Sequence, residues 1–87
     1  MRYTVIWRSK AEARLAQLWL QASDRNDVAR AADRIDQRLH VDPEQQAEVS
    51  SGDLHSVVVH PLGFLYRVLP DDRIVEVAWV WRSAPQG

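Results

Sequence analysis

The sequence predicts an α+β domain of order β-α-α-β-β-β, with a helical hairpin packed on one face of a mainly antiparallel sheet. Three observations carry this expectation. Two apolar runs rich in β-branched and aromatic residues, 62–69 and 73–81, flank the turn sequence Pro70-Asp71-Asp72. A third such run, 54–60, precedes them and is joined to them by Pro61-Leu62-Gly63, so the three read as an antiparallel meander. Between residues 10 and 40, two adjacent stretches repeat apolar residues at helical spacing.

In chain order, Tyr3, Val5 and Trp7 point one way from a first strand at 3–7, and Thr4 and Ile6 the other. Ser9, with Glu12 three residues on, reads as the capping box of a helix over 10–22. Its apolar stripe is Ala11, Leu15, Leu18, Trp19 and Ala22, with Arg14, Gln17 and Gln21 facing water. Ser23 or Asp24 caps a second helix over 25–40, whose buried stripe is Val28, Ala31, Ala32, Ile35 and Leu39. Arg30, Arg34 and Arg38 recur on its exposed face, interleaved with Asp27, Asp33 and Asp36. Pro43 ends the helix, because proline disfavours helical backbone at the residue before it. Residues 43–53 are polar apart from Ala47 and Val49 and read as a loop closed by the Gly52-Asp53 turn.

The strands 54–60, 63–69 and 73–81 follow. Pro70 suits the second position of a type I turn. Period-2 reading places Phe64, Tyr66 and Val68 on one face of their strand, and Val75, Val77, Trp79 and Trp81 together on the next. A strand apolar on both faces belongs in the middle of a sheet. The helices cover one face only, so the aromatic residues on the other mark a partner site. Residues 83–87 are turn formers expected to fray.

The 87 residues bound a single domain spanning 1–87. A chain of this size buries roughly 60–65% of its unfolded surface, so a bound partner adds appreciably to its stability. With no cysteine there is neither a disulfide framework nor a thiolate metal site, which fits a cytoplasmic protein. The opening residues read as a strand rather than a signal core, and no apolar run reaches the ~18–20 residues of a membrane span. The net charge of −1 divides unevenly: residues 1–40 carry 8 Arg/Lys against 5 Asp/Glu, and residues 41–87 carry 3 against 7. A pI near 6.3 is unlike that of a general nucleic-acid coat protein and leaves room for a local basic patch.

The succession of segments resembles the RelE/ParE family of bacterial type II toxin–antitoxin toxins from Tyr3 to Trp81. It is carried by Val5-Ile6-Trp7, by Ala13-Arg14-Leu15-Ala16-Gln17-Leu18-Trp19, and by Asp33-Arg34-Ile35-Asp36-Gln37-Arg38-Leu39 before a proline. Its most specific part is Pro61-Leu62-Gly63-Phe64-Leu65-Tyr66-Arg67-Val68 followed by Asp71-Asp72-Arg73-Ile74-Val75. The resemblance implies a growth-inhibiting toxin held inactive by a cognate antitoxin, with an oligomeric state set by that complex. RelE-like members cleave mRNA on the ribosome, and ParE-like members poison DNA gyrase without being nucleases. Fold alone does not choose between these activities. A toxin-fold binding module that has lost its catalysis and only partners an antitoxin is the alternative.

Metal-free RNA cleavage needs a base for the 2′-hydroxyl, an acid for the leaving oxygen and cations for the phosphorane. RelE-like toxins draw these from lysines and arginines on the meander and a tyrosine or histidine near the C-terminus. Here the one lysine is Lys10, Gly63 or Phe64 stands where an arginine often precedes the Tyr66 position, and no His, Tyr or Lys follows Arg82. The catalytic candidates that remain are Arg67, Arg82 and His60. Arg67 sits at the Tyr-Arg position of the resemblance and is suited to binding phosphate; its ordinary alternative is an ion pair with Glu76 across the hairpin. Arg82 matches a basic position at the end of the last strand. His60 has an imidazole that titrates near neutral pH. Arg30, Arg34, Arg38 and Trp81 are the candidate contacts for RNA or antitoxin. His55 and His60 fall on opposite faces of a regular strand, so no shared metal site is expected, and no cofactor is implied.

Overall fold

A computed structural model describes residues 2–83. Among the described residues, five strands form one sheet with two helices on one side. The elements are β1 (Thr4–Trp7), α1 (Ser9–Gln21), α2 (Arg25–Val41), β2 (Val49–Ser51), β3 (Leu54–Val59), β4 (Leu62–Leu69) and β5 (Ile74–Arg82). The strand order is β1-β5-β4-β3-β2. β1 lies parallel to β5, and the other neighbours are antiparallel. The meander and the helical hairpin thus stand where the periodicities place them, with helix ends within a residue or two. The expected fraying of residues 84–87 lies outside the described residues.

The core forms between the helices and one sheet face. Val28, Ile35 and Leu39 of α2 and Ala11 of α1 meet Phe64, Tyr66, Val75, Val77 and Val80, all with 0% exposure. Trp7 closes one end, its ring edge-on to Phe64 at 6.0 Å and its Nε1 donating to Asp36 Oδ1 at 3.1 Å. His40 reinforces the same corner. Its carbonyl accepts the Tyr3 N–H at 2.7 Å, its Nδ1 lies 2.7 Å from the Tyr3 carbonyl, and its Nε2 lies 3.4 Å from Asp36 Oδ2.

Five local expectations are corrected. The 43–53 segment is not all loop: β2 pairs with β3 through Val49, Ser50 and Ser51. Its three residues are too few and too polar to show a period, and tertiary pairing makes the strand. Ser9 is not a cap. Arg8 is the N-cap of α1, and no side-chain capping bond forms. The Arg8 N–H is held by the Val77 carbonyl at 3.0 Å, so sheet pairing runs into the helix with Arg8 alone between strand and helix.

The hairpin turn is shifted by one. The Arg73 N–H donates to the Pro70 carbonyl at 3.2 Å, making Pro70 the first turn residue, and Arg73 adopts φ 55°. β5 carries a bulge: Leu65 pairs with Trp79 but Tyr66 with Val77, so Ala78 is extra. An extra residue reverses the alternation beyond it. Val80 therefore enters the core, while Trp79 and Trp81 leave the face they were expected to share with Val75 and Val77. Finally, Trp19 is 41% exposed rather than part of the core stripe.

Candidate functional site

Cross-strand partners share a sheet face, so the register sorts the candidate side chains. Arg82 pairs with Leu62 and faces the helices. Its Nη1 and Nη2 donate to Asp24 Oδ1 and Oδ2 at 2.9 and 2.7 Å, a two-pronged bond from the end of the sheet to the start of α2. The Arg82 guanidinium holds the Asp24 carboxyl below its usual range, and Asp24 in turn raises the Arg82 pKa. Asp24 is the N-cap of α2 yet makes no side-chain capping bond, because its carboxylate is turned to Arg82. The first helical N–H groups are served by its carbonyl instead, from Asp27 at 3.0 Å and Val28 at 3.1 Å.

His60 lies in the turn between β3 and β4 and is exposed. It shares a shallow cleft of about 280 Å³ with Asp27, Arg30, Ala31, Arg34 and Val59. The fold therefore brings His60, Arg30 and Arg34 together, next to the Arg82–Asp24 pair. Arg38 lies further along α2, outside this cleft. Among the described residues, Arg30, Arg34 and Arg38 are in no ion pair, whereas Arg67 and Arg82 each are.

Arg67 stands apart. It pairs with Leu54 and Glu76 on the face turned away from the helices. Its ionic partner is not the opposed Glu76 but Asp53, with Nε 3.3 Å from Oδ2 and without hydrogen-bond geometry. Five residues of β4 separate its row from that of Arg82, about 17 Å of strand, and the two point to opposite sides of the sheet.

Trp81 lies on this open face against Gly63. A Cβ on Gly63 would fall 2.1 Å from Trp81 Cε2, so only a bare backbone admits the ring. The same face carries Trp79, Ile6 and Val58, each about two-fifths exposed, with Leu65 and Ile74 half-buried. The Arg14 guanidinium lies 5.8 Å from the centre of the Trp79 ring.

Two further features go beyond the reading of the sequence. Tyr66 is fully buried, its hydroxyl donates to the Pro43 carbonyl at 2.6 Å, and burial pushes its pKa up to about 12. It is a structural strut rather than a proton carrier at neutral pH. Beside it, His55 is buried, stacks on the Tyr66 ring at 5.5 Å and places Nδ1 2.6 Å from Ser50 Oγ.

The second feature is a groove of about 680 Å³ between the outer sides of α1 and α2. Leu15, Ala16, Trp19 and Leu20 form one wall, and Val28, Ala29 and Ala32 the other, with Glu12, Asp33 and Asp36 at the edge. The signal was present in the sequence. Ala16 and Leu20 form an i, i+4 pair beside the core stripe, giving α1 more apolar width than one sheet contact uses.

No protein-family model matches the sequence, and no curated protein resembles it closely enough to count as a relative. Solved structures do match. A chain of the toxin–antitoxin complex RelBE2 from Mycobacterium tuberculosis superposes with a TM-score of 0.77 at 18% identity, over 94% of this chain and 99% of that one. A chain of the chromosomal ParDE system from P. aeruginosa gives 0.66 at 15%, over 95% and 98%. A mutant of the E. coli toxin RelE in the free state gives 0.65 at 14%, over 94% and 84%. The same two-helix layer on the same sheet recurs in each, and the chain has the fold of the RelE/ParE toxins.

Proposed function

We propose that this protein is the toxin of a type II toxin–antitoxin pair, that it arrests growth in the cytoplasm without cutting RNA, in the manner of the gyrase-poisoning members, and that a cognate antitoxin holds it inactive. The observation that carries the non-nucleolytic reading is the dispersal of the cations. Arg67 and Arg82 occupy opposite faces of the sheet, and each faces a carboxylate, Asp53 and Asp24. No lysine stands on the meander. A phosphorane needs converging donors, and these two do not converge. The antitoxin reading is supported by the fold and by two exposed apolar surfaces, the open sheet face and the interhelical groove.

A ribosome-dependent nuclease is the second reading, favoured by the meeting of His60 with Arg30 and Arg34. A toxin-fold module that only binds an antitoxin is the third. One experiment separates them: induced expression with and without the neighbouring gene, scored for growth, mRNA cleavage and DNA damage. The proposal expects arrest with DNA damage, intact mRNA and rescue by the neighbour. Cleaved mRNA, lost in His60→Ala and Arg34→Ala variants that still fold, supports the nuclease. Binding without arrest supports the module.

A further inference from the structure

We infer that the flank of α2 carrying Arg30, Arg34 and Arg38 is a docking track for the phosphate backbone of duplex DNA, bound without regard to base sequence. The chemistry of the track rests on this flank alone. That the duplex is DNA rests on the gyrase-type reading proposed above.

α2 divides by charge on either side of its buried stripe. Val28, Ala31, Ile35 and Leu39 face the core. To one side of them, Ala29, Ala32, Asp33 and Asp36 turn towards α1. To the other, Arg30 and Arg34 share a cleft with Val59 and His60, and Arg38 continues their row one turn further on. Asp33 and Asp36 interleave with the arginines in sequence but stand across the helix from them in space. Asp27 is the acidic residue left beside the row. Arg30, Arg34 and Arg38 are all exposed, and among the described residues none is in an ion pair. Arg25, Arg67 and Arg82, by contrast, are each held by a neighbouring carbonyl or carboxylate.

Spacing and side-chain type identify the occupant. The arginines repeat every four residues, about 6 Å, so the row is about 12 Å long. One strand of a duplex carries a phosphate every ~3.4 Å of axis, so the row lies along about four phosphates of that strand. All three cations are guanidinium forks, which take phosphate oxygens in pairs. A protein partner would need an apolar centre to its interface, and no apolar side chain is exposed on this flank between Arg30 and Arg38. A single strand would need aromatic rings on which to stack its bases, and α2 has none. A rigid row of anions asks for neither.

The attraction is local. The chain as a whole carries a net charge of −1, yet a duplex laid along this flank meets three guanidinium groups against the one carboxylate of Asp27. His60, exposed beside Arg30 and Arg34, offers a further donor at the near end. Asp24, close by, is neutralised by Arg82. With so few contacts the affinity belongs in the range of sequence-independent binding, a Kd of about 10⁻⁴–10⁻⁵ M.

The test uses the purified full chain and a labelled DNA duplex of two turns, about 20 base pairs, with binding read by fluorescence anisotropy. Three phosphate contacts predict that log K falls with log salt at a slope of about −2.7, a loss of roughly 40-fold between about 50 and 200 mM. Arg30→Gln, Arg34→Gln and Arg38→Gln should each make the slope shallower by about 1, and the triple variant should lose binding. Asp27→Asn should tighten it. Lys10→Gln, which removes an equal charge from α1, should leave the slope as it is. Circular dichroism checks that each variant folds. Absent binding, a slope unchanged in the folded arginine variants, or an equal change in Lys10→Gln overturns the inference. So does tighter binding of a single strand or an RNA duplex, or displacement of the DNA by a polyglutamate peptide at equal charge, which would mark an acidic protein as the partner. Growth arrest is scored separately. Arrest with DNA damage by a parent that binds no duplex removes the track and keeps the toxin, whereas duplex binding without arrest keeps the track and removes the toxin.

Discussion

The two faces of the central sheet are built from the same strands and do different work. On one, Phe64, Tyr66, Val75, Val77 and Val80 are sealed beneath the helices with no exposure. On the other, alternate residues of the same strands lie open, with Trp79 41% and Ile6 42% exposed and Trp81 resting on Gly63. Both faces carry large apolar side chains, so the presence of such residues does not tell them apart. The difference is cover: two helices close one face, and only neighbouring side chains shelter the other. Apolar surface left open in this way on a small domain is available to a partner.

The largest predicted effect tests the inequality itself. Phe64→Ala should cost about 3–5 kcal/mol of folding stability through a buried cavity, whereas Trp79→Ala should cost about 1–2 kcal/mol. Urea denaturation of both variants checks this, and equal losses would break the distinction between the faces. On the open face, Gly63→Ala should cost about 1–3 kcal/mol, because its methyl group displaces the Trp81 ring. The combined variant Gly63→Ala, Trp81→Ala should recover part of that loss. If it recovers nothing, the contact between ring and backbone is not the cause.

On the closed face, Tyr66→Phe leaves the Pro43 carbonyl without its donor and should cost about 1–2 kcal/mol at neutral pH. A pH signature accompanies it. The folded pKa of Tyr66 is raised from 10.0 to about 12, so the folded state holds this proton more tightly than the unfolded chain. The resulting stability is complete below pH 10 and is lost as pH rises toward 12. In Tyr66→Phe the alkaline limb of the urea midpoint should be flatter than in the parent.

The smallest effect lies where the closed face meets the start of α2. Asp24 has a folded pKa below its ordinary 3.8, owing first to the hydrogen bond from Arg82. Its contribution is therefore present above the unfolded value and disappears as pH falls through the folded one. Asp24→Asn should flatten the acid limb of stability while leaving the melting temperature at pH 7 only slightly lowered. A parent-like acid limb in that variant would show that the pair does not hold the sheet end to α2.

Sequence alone determined the order of six of the seven elements, the helical hairpin, the meander and the helix ends to within a residue or two. Each rests on local periodicity and on breakers such as Pro43, which act within a few residues of themselves. It also brought forward the arginines and His60, because their chemistry travels with their identity. Tertiary structure decided the rest. Arg82 grips Asp24 across 58 residues, and Trp7 bonds Asp36 across 29, pairings that no local pattern encodes. The bulge at Ala78 chose which aromatic residues face the helices, although the alternation read continuously through it. β2 exists because β3 offers it a partner, and Glu48 ends that pairing by placing its carboxylate on the Val58 N–H at 3.0 Å. Periodicity reports which side of an element is apolar. What stands opposite that side depends on contacts between distant segments, and these form only when the chain folds.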